Sequence, residues 1–238
     1  MRFWVLLRNT FPLFVLFSFL LYGSDSVGDT QEETLVAAAE AALEKLDATN
    51  LDDDWYFSME VVEEEELRTI RSDPHRGKYD RRELLTVNGV AADSERQRKF
   101  RESEVKRIED LDPDATGYRY MVDAATLHLM EQGDSHAKFS FVPRIKAMEK
   151  SLDEIRGVVL LNLETQHIEE IEIRNTEKLS TAFSVIVDSF RLTLRFQPEQ
   201  GENLLKKLVS HAVGKAGSLK SFDNLVAVEF SDYRRAEP

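Results

Sequence analysis

The run Thr181-Ala-Phe-Ser-Val-Ile-Val-Asp-Ser-Phe-Arg-Leu-Thr-Leu-Arg-Phe196 changes phase halfway along its length. Phe183, Val185 and Val187 are apolar at odd positions, whereas Phe190, Leu192, Leu194 and Phe196 are apolar at even ones. Side chains alternate between the two faces of a strand, so a slip of one residue sends every later side chain to the other face. A flip inside an unbroken run therefore implies a bulge or sharp bend at Asp188 and Ser189. The earlier stretch Gly157-Val-Val-Leu-Leu-Asn-Leu-Glu164 reads as a second strand. Together they predict a bent sheet at the centre of the fold.

Working outward, residues 166–175 alternate Ile171 and Ile173 with Glu170, Glu172 and Arg174, and residues 225–233 place Val226, Val228 and Phe230 opposite Glu229 and Ser231. Residues 204–215 complete the sheet on the C-terminal side. On the N-terminal side, Trp55, Phe57, Met59 and Val61 alternate with Tyr56, Ser58, Glu60 and Val62, which gives a strand with one aromatic face. Residues 67–71 and 84–87 are further short strands, the latter closed by the turn dipeptide Asn88-Gly89. A hairpin across residues 132–135 pairs residues 126–130 with 137–142, with Phe139 and Phe141 on one face. Residues 118–125 fit either a strand or a helix, and residues 144–156 fit a short helix or an irregular link. Short connections between strands favour antiparallel order over crossover helices.

Two longer helices are expected. Thr30 and Glu33 have capping-box spacing, and Leu35, Ala39, Ala42, Leu43 and Leu46 then share a face up to Asp47. Asp93 or Ser94 caps the second, which runs to Glu109 with only Phe100, Val105 and Ile108 as sizeable apolar residues, so it lies on the surface. The fold class is α+β, a strongly bent antiparallel sheet forming an unclosed half-barrel covered by helices.

At 238 residues and 42% apolar content the chain supports one ordinary core. The net charge of −13 disfavours nonspecific binding to nucleic acid or anionic lipid as primary ligands. With no cysteine, disulfides, thiolate metal sites, a cysteine nucleophile and cysteine lipidation are excluded. Arg2 and Arg8 precede a 12-residue apolar core, FPLFVLFSFLLY at 11–22, followed by Gly23, Ser24 and Ser26. A spanning helix needs about 20 apolar residues. Residues 1–26 are thus read as a signal peptide, and residues 27–238 as one exported domain with no stable membrane span after cleavage.

The amphipathic first helix, Trp55-Tyr-Phe-Ser-Met59, Phe139-Ser-Phe-Val-Pro143, Gly157-Val-Val-Leu-Leu-Asn-Leu-Glu-Thr165 and the closing Phe230-Ser-Asp-Tyr233 resemble the LolA/LolB-type lipoprotein-carrier superfamily over residues 30–233. The likeness is to a periplasmic branch rather than to LolA itself. It implies a curved antiparallel sheet whose apolar concave side, lidded by helices, holds lipid acyl chains. The arginine that ties the lid to the sheet in LolA matches no particular basic residue here, and the lipidated cysteine of LolB is absent.

Catalytic patterns are wanting. His75, His128, His136, His167 and His211 are scattered without metal-ligand spacing, and no serine sits in a Gly-x-Ser-x-Gly frame. The acidic runs at 52–54 and 63–66 could collect calcium, yet dense like charges more often form a solvated face or protect a strand edge. A non-enzymatic protein with no cofactor and no metal is expected. Its candidate ligand surface is the aromatic one: Trp55, Phe57, Met59, Phe139, Phe141, Phe183, Val185 and Phe190 lining a common apolar cavity for a lipid or acyl chain. The competing expectation is an ordinary filled core, with the acidic face recognising an envelope protein partner.

Overall fold

The computed structural model describes residues 26–110, 118, 121–144, 153–182, 185–217 and 220–237. Helix α1 (Ser26–Ala48) and the single turn α2 (Leu51–Asp54) lead into β1 (Trp55–Glu63), β2 (Glu66–Ser72), β3 (Arg82–Val87) and the two-residue β4 (Val90–Ala91). Helix α3 (Ser94–Asp110) follows. The remaining strands are β5 (His128–Gln132), β6 (His136–Phe141), β7 (Ile155–Asn162), β8 (His167–Asn175), β9 (Leu179–Ala182), β10 (Val185–Glu199), β11 (Glu202–Ala216) and β12 (Lys220–Arg235). All twelve belong to one unclosed sheet in the order β4-β3-β2-β1-β12-β11-β10-β8-β7-β6-β5, with β9 attached to β10 off this path. Every pairing in it is antiparallel. The expected fold class is the one observed.

The phase flip marks a real irregularity. The β10–β11 register shifts between Val187 and Ser189, which leaves Asp188 unmatched. Val187 before the shift and Leu194 and Phe196 after it are all buried. Before the shift β10 pairs with β9, and beyond it with β8. Asn175, the last residue of β8, holds this junction. Its side-chain oxygen accepts the Phe190 N–H at 2.6 Å, and its amide donates to the Asp188 carbonyl at 3.2 Å and the Glu177 carbonyl at 2.7 Å. These bonds take the place of ladder bonds where β8 stops. Opposite Val187 stands Gly214, where a Cβ would collide with the Ile186 carbonyl and approach the Phe222 ring to 2.6 Å.

The run at 181–196 is nonetheless not one strand. Thr181 and Ala182 belong to β9, which pairs antiparallel with the start of β10. No glycine, proline, asparagine or aspartate stands between Leu179 and Val187, so the sequence reads as one run across two strands. Helix α1 begins at Ser26 rather than at Thr30, so the Thr30 and Glu33 spacing lies inside the helix, where Thr34 Oγ1 donates to the Thr30 carbonyl at 2.7 Å. The Asn88-Gly89 turn forms with φ of 52° and 77° at its two residues, the conformation two-residue hairpins favour. For α3 the cap is Asp93, whose Oδ1 accepts the Arg96 N–H at 2.8 Å. At 121–125, within the stretch read as strand or helix, Val122 forms an isolated bridge to Pro143 and Ala124 opens the one-turn 3-10 helix Ala124–Thr126. Most of the link at 144–156 lies outside the described residues.

Two members of each acidic run pair with arginines. Asp52 pairs with Arg82 and Asp53 with Arg81, while Glu63 and Glu66 flank the β1–β2 turn and both reach Arg68. Replacing Gly214 by Ala is expected to lower stability by about 1–3 kcal/mol, because a backbone carbonyl blocks the new methyl. Gly133→Ala, whose Cβ would meet only the His136 carbonyl at 3.7 Å, is the control and should melt like the wild type. Equal melting of the two variants would contradict the tight crossing at Gly214.

Candidate functional site

Directly opposed residues in an antiparallel pair share a face. From β3 inward, Leu84 opposes Ile70, which opposes Met59, which opposes Phe230. Two residues along β12, Val228 opposes Leu208, and the line continues through Leu194, Ile171, Val159, Phe139 and Leu129 on β5. One face is thus apolar from β3 to β5. Helix α1 lies over the β5 to β11 part of it with Ala39, Ala42, Leu43 and Leu46 all buried. Two alanines let the helix approach the strands closely. Polar ties to α1 are few among the described residues: Glu32 accepts the Leu129 N–H at 3.3 Å, Gln31 bonds Gln132, and Asp47 accepts the Tyr118 N–H.

This face carries two packed clusters. Phe139 and Phe141 lie in the larger, with Ile155, Ile168, Ile171 and α1. Trp55, Phe57 and Met59 lie in the other, with Ile70, Leu84 and Leu204, while Phe100 of α3 packs at its margin. Leu51 and Phe230 touch both. The five aromatic-strand residues therefore share a sheet face but not one common surface, because α1 covers one half and α2, α3 and Tyr233 border the other. Phe190 packs against the larger cluster, Val185 is half-buried at the start of β10, and Phe183 is outside the described residues.

Packing is close. Trp55 meets Tyr233 edge-on at 6.0 Å between ring centroids, and Phe57 lies 5.9 Å from both Phe230 and Tyr233. In the larger cluster Phe141 lies over Gly157, where a Cβ would collide with its ring. Tyr233 donates its hydroxyl to the Leu205 carbonyl at 2.5 Å. Burial, first of all, pushes that phenol and the Tyr118 phenol up, so both stay protonated. Two polar atoms here, Trp55 Nε1 and Ser72 Oγ, are buried without a partner among the described residues.

Sequence reading did not single out Asn175, and it named Gly157 and Tyr233 only as ends of motifs, without their packing roles. The strand-ending Asn175 before Thr176 was the available signal for the first. It also missed the ring of contacts at Ser135, His136 and Glu169, where His136 Nδ1 lies 2.8 Å from Ser135 Oγ and Nε2 lies 2.9 Å from Glu169. Glu169 accepts the Asn162 amide as well, at 2.8 Å, beside the register shift between Leu160 and Leu161. These contacts tie β6, β7 and β8 together at an exposed hairpin. No group of three or more metal-ligating side chains occurs among the described residues, and no helix there is long and apolar enough to cross a membrane.

No protein-family model matches the chain, and no curated protein does. Among solved structures, the crystal structure of a LolA superfamily protein, NE2245 from Nitrosomonas europaea, aligns over 84% of this chain and 94% of that one, at 12% identity and a TM-score of 0.33. At that score neither fold nor function is read from the likeness.

Phe57, 2% exposed and packed against the Phe230 and Tyr233 rings, provides a direct measure of packing. Phe57→Ala is expected to cost about 3–5 kcal/mol, and Phe57→Asp to prevent accumulation of folded protein by burying an unpaired carboxylate. Val62→Asp, on the opposite face and 39% exposed, should change stability by no more than about 0.5 kcal/mol. Thermal melts of the three variants check this; a folded Phe57→Asp protein with an unshifted midpoint would show the surface to be open.

Proposed function

We propose that the mature chain is an exported, non-enzymatic binding protein that takes a lipid or acyl chain on the apolar sheet face beneath α1. The observation that carries this reading is the unbroken line of apolar partners from Leu84 to Leu129, roofed over much of its width by one helix with few polar ties. Displacing α1 would uncover Phe139, Phe141 and the isoleucines of β7 and β8, and an acyl chain would restore the lost burial at about 25 cal/mol per Å². Trp55, Phe57 and Met59 form the second half of the proposed surface, with Val185, Phe190 and Phe183 toward the bend. Trp55 Nε1 and Ser72 Oγ would meet the polar end of an amphiphile. The resemblance of the sequence to periplasmic lipoprotein carriers points the same way.

Close packing favours a second reading. Five of the eight proposed residues are at most 4% exposed, as in a filled core, and such a protein would act as an envelope scaffold through its charged outer face. Native mass spectrometry of protein purified from the envelope separates the two. Co-purified lipid, together with saturable binding of a fluorescent fatty acid that unlabelled fatty acid displaces, is the expected result. Lipid-free protein with no such binding, captured instead in a salt-sensitive way by a basic envelope protein, would favour the scaffold.

Export itself rests on the basic start, the apolar core at 11–22 and the small residues after it. N-terminal sequencing of envelope-fraction protein should find a first residue between Ser24 and Val27. A retained Met1 on cytosolic protein would remove the premise.

A further inference from the structure

The polar face of the sheet carries a row of like charges. Arg156 on β7 directly opposes Arg174 on β8, Arg174 opposes Arg191 on β10, and Arg191 opposes His211 on β11. Four basic residues thus stand side by side on four neighbouring strands, spanning about 14 Å at the usual strand spacing. Like charges directly opposite each other destabilise a sheet. Arg195 and Lys207 are also directly opposed on this face, but each has a carboxylate of its own, Glu170 at 2.8 Å and Glu229 at 2.5 Å. The row lacks such one-to-one matching, in a chain whose net charge is −13.

Compensation within the row is thin. Arg174 and Arg191 share one carboxylate, Glu172, at 3.6 and 3.7 Å, near the outer limit of an ion pair. Arg156 turns to the Ile155 carbonyl at 2.7 Å, and His211 meets Asp223 at 2.7 Å. Asp188, close by at the bend, is engaged by Lys178 at 2.7 Å, whose hydrogen bond holds its carboxyl below the usual range. Both central guanidiniums are more than half exposed and keep free donors among the described residues. Where β8 stops, they line a surface recess of about 580 Å³ together with Thr176, Ser189, Phe190 and His211.

We propose that this recess binds a phosphate group, held between the guanidiniums of Arg174 and Arg191 with His211 and the Ser189 hydroxyl as further donors. Two neighbouring guanidinium forks suit a tetrahedral oxyanion, since each offers paired N–H groups to two of its oxygens. An oxyanion there also relieves the repulsion that the pairing register imposes. The overall negative charge argues against broad attraction to polyanions but not against a local pocket of the opposite sign. The phosphate could be free or the headgroup of a lipid. Apart from Phe190, which borders both, the site lies on the face opposite the proposed acyl surface, and phosphate alone probes it, so either reading can fail without the other.

The test uses the mature full-length protein. Its melting midpoint should rise with added inorganic phosphate more than with chloride at matched ionic strength, as expected for a ligand that binds only the folded state. The Arg174→Gln/Arg191→Gln variant should lose that rise, while Arg101→Gln, an exposed arginine of α3 paired with Asp80, should keep it. Without phosphate the double variant should melt at or above the wild type, because two opposed charges are gone; a lower midpoint would make the pair structural and overturn the proposal. Co-sedimentation with phosphatidylglycerol vesicles but not phosphatidylcholine vesicles, lost in the double variant, would support the site with a lipid headgroup as its source. A phosphate response without co-sedimentation would support it with a soluble phosphate. No response in either arm, or the same response in the double variant, would overturn it.

Discussion

Everything in this molecule hangs on the rule that opposed residues of antiparallel strands share a face. A sheet eleven strands wide along its main path can keep one apolar side only if each strand enters in the right register, since a slip in any one would turn its apolar set to solvent. Where a slip does occur, it is absorbed by a bulge. Shifts at Val187/Ser189, Leu160/Leu161 and Tyr56/Ser58 each leave buried residues on the correct side before and after. Each also turns the sheet, because an extra residue on one strand increases the local twist. Curvature and burial have the same cause here.

Alternation within a strand was legible in the chain; relations between strands were not. The bend at Asp188 showed because both halves of β10 are apolar on a strict period, and α3 showed because Asp93 precedes a run with almost no apolar face. The separation of β9 from β10 did not show, since Leu179 and Val187 become partners with no glycine, proline or asparagine between them in the sequence. The aromatic faces of β1 and β6 were visible singly. Their division into two clusters depends on α1 and on residues 170 positions away, such as Phe230 against Met59. Arg174 and Arg191 each look like an ordinary outward residue of an alternating strand, and only the register sets them side by side.

The two faces contribute unequally. Exposed ion pairs such as Arg195 with Glu170 are worth roughly 0–1 kcal/mol each, whereas each large side chain buried on the other face contributes about 1.5–3 kcal/mol relative to exposure. Stability therefore lives on the apolar side, and the charged side is free to vary in pattern at little cost. The unclosed edges are modest. β4 is only two residues long and β5 is interrupted by a register shift, both of which discourage a second chain from pairing there.

The last strand joins what the rest of the chain leaves apart. β12 (Lys220–Arg235) lies between β1 and β11, so the β1 to β4 third of the strands meets the β5 to β11 remainder through it. The sheet cannot assemble in the order in which it is synthesised. Its two parts stay separate until β12 is available, and a fold dominated by such distant pairings forms slowly. Until then β1 and β11 are both open strand edges, the places where another extended chain could pair.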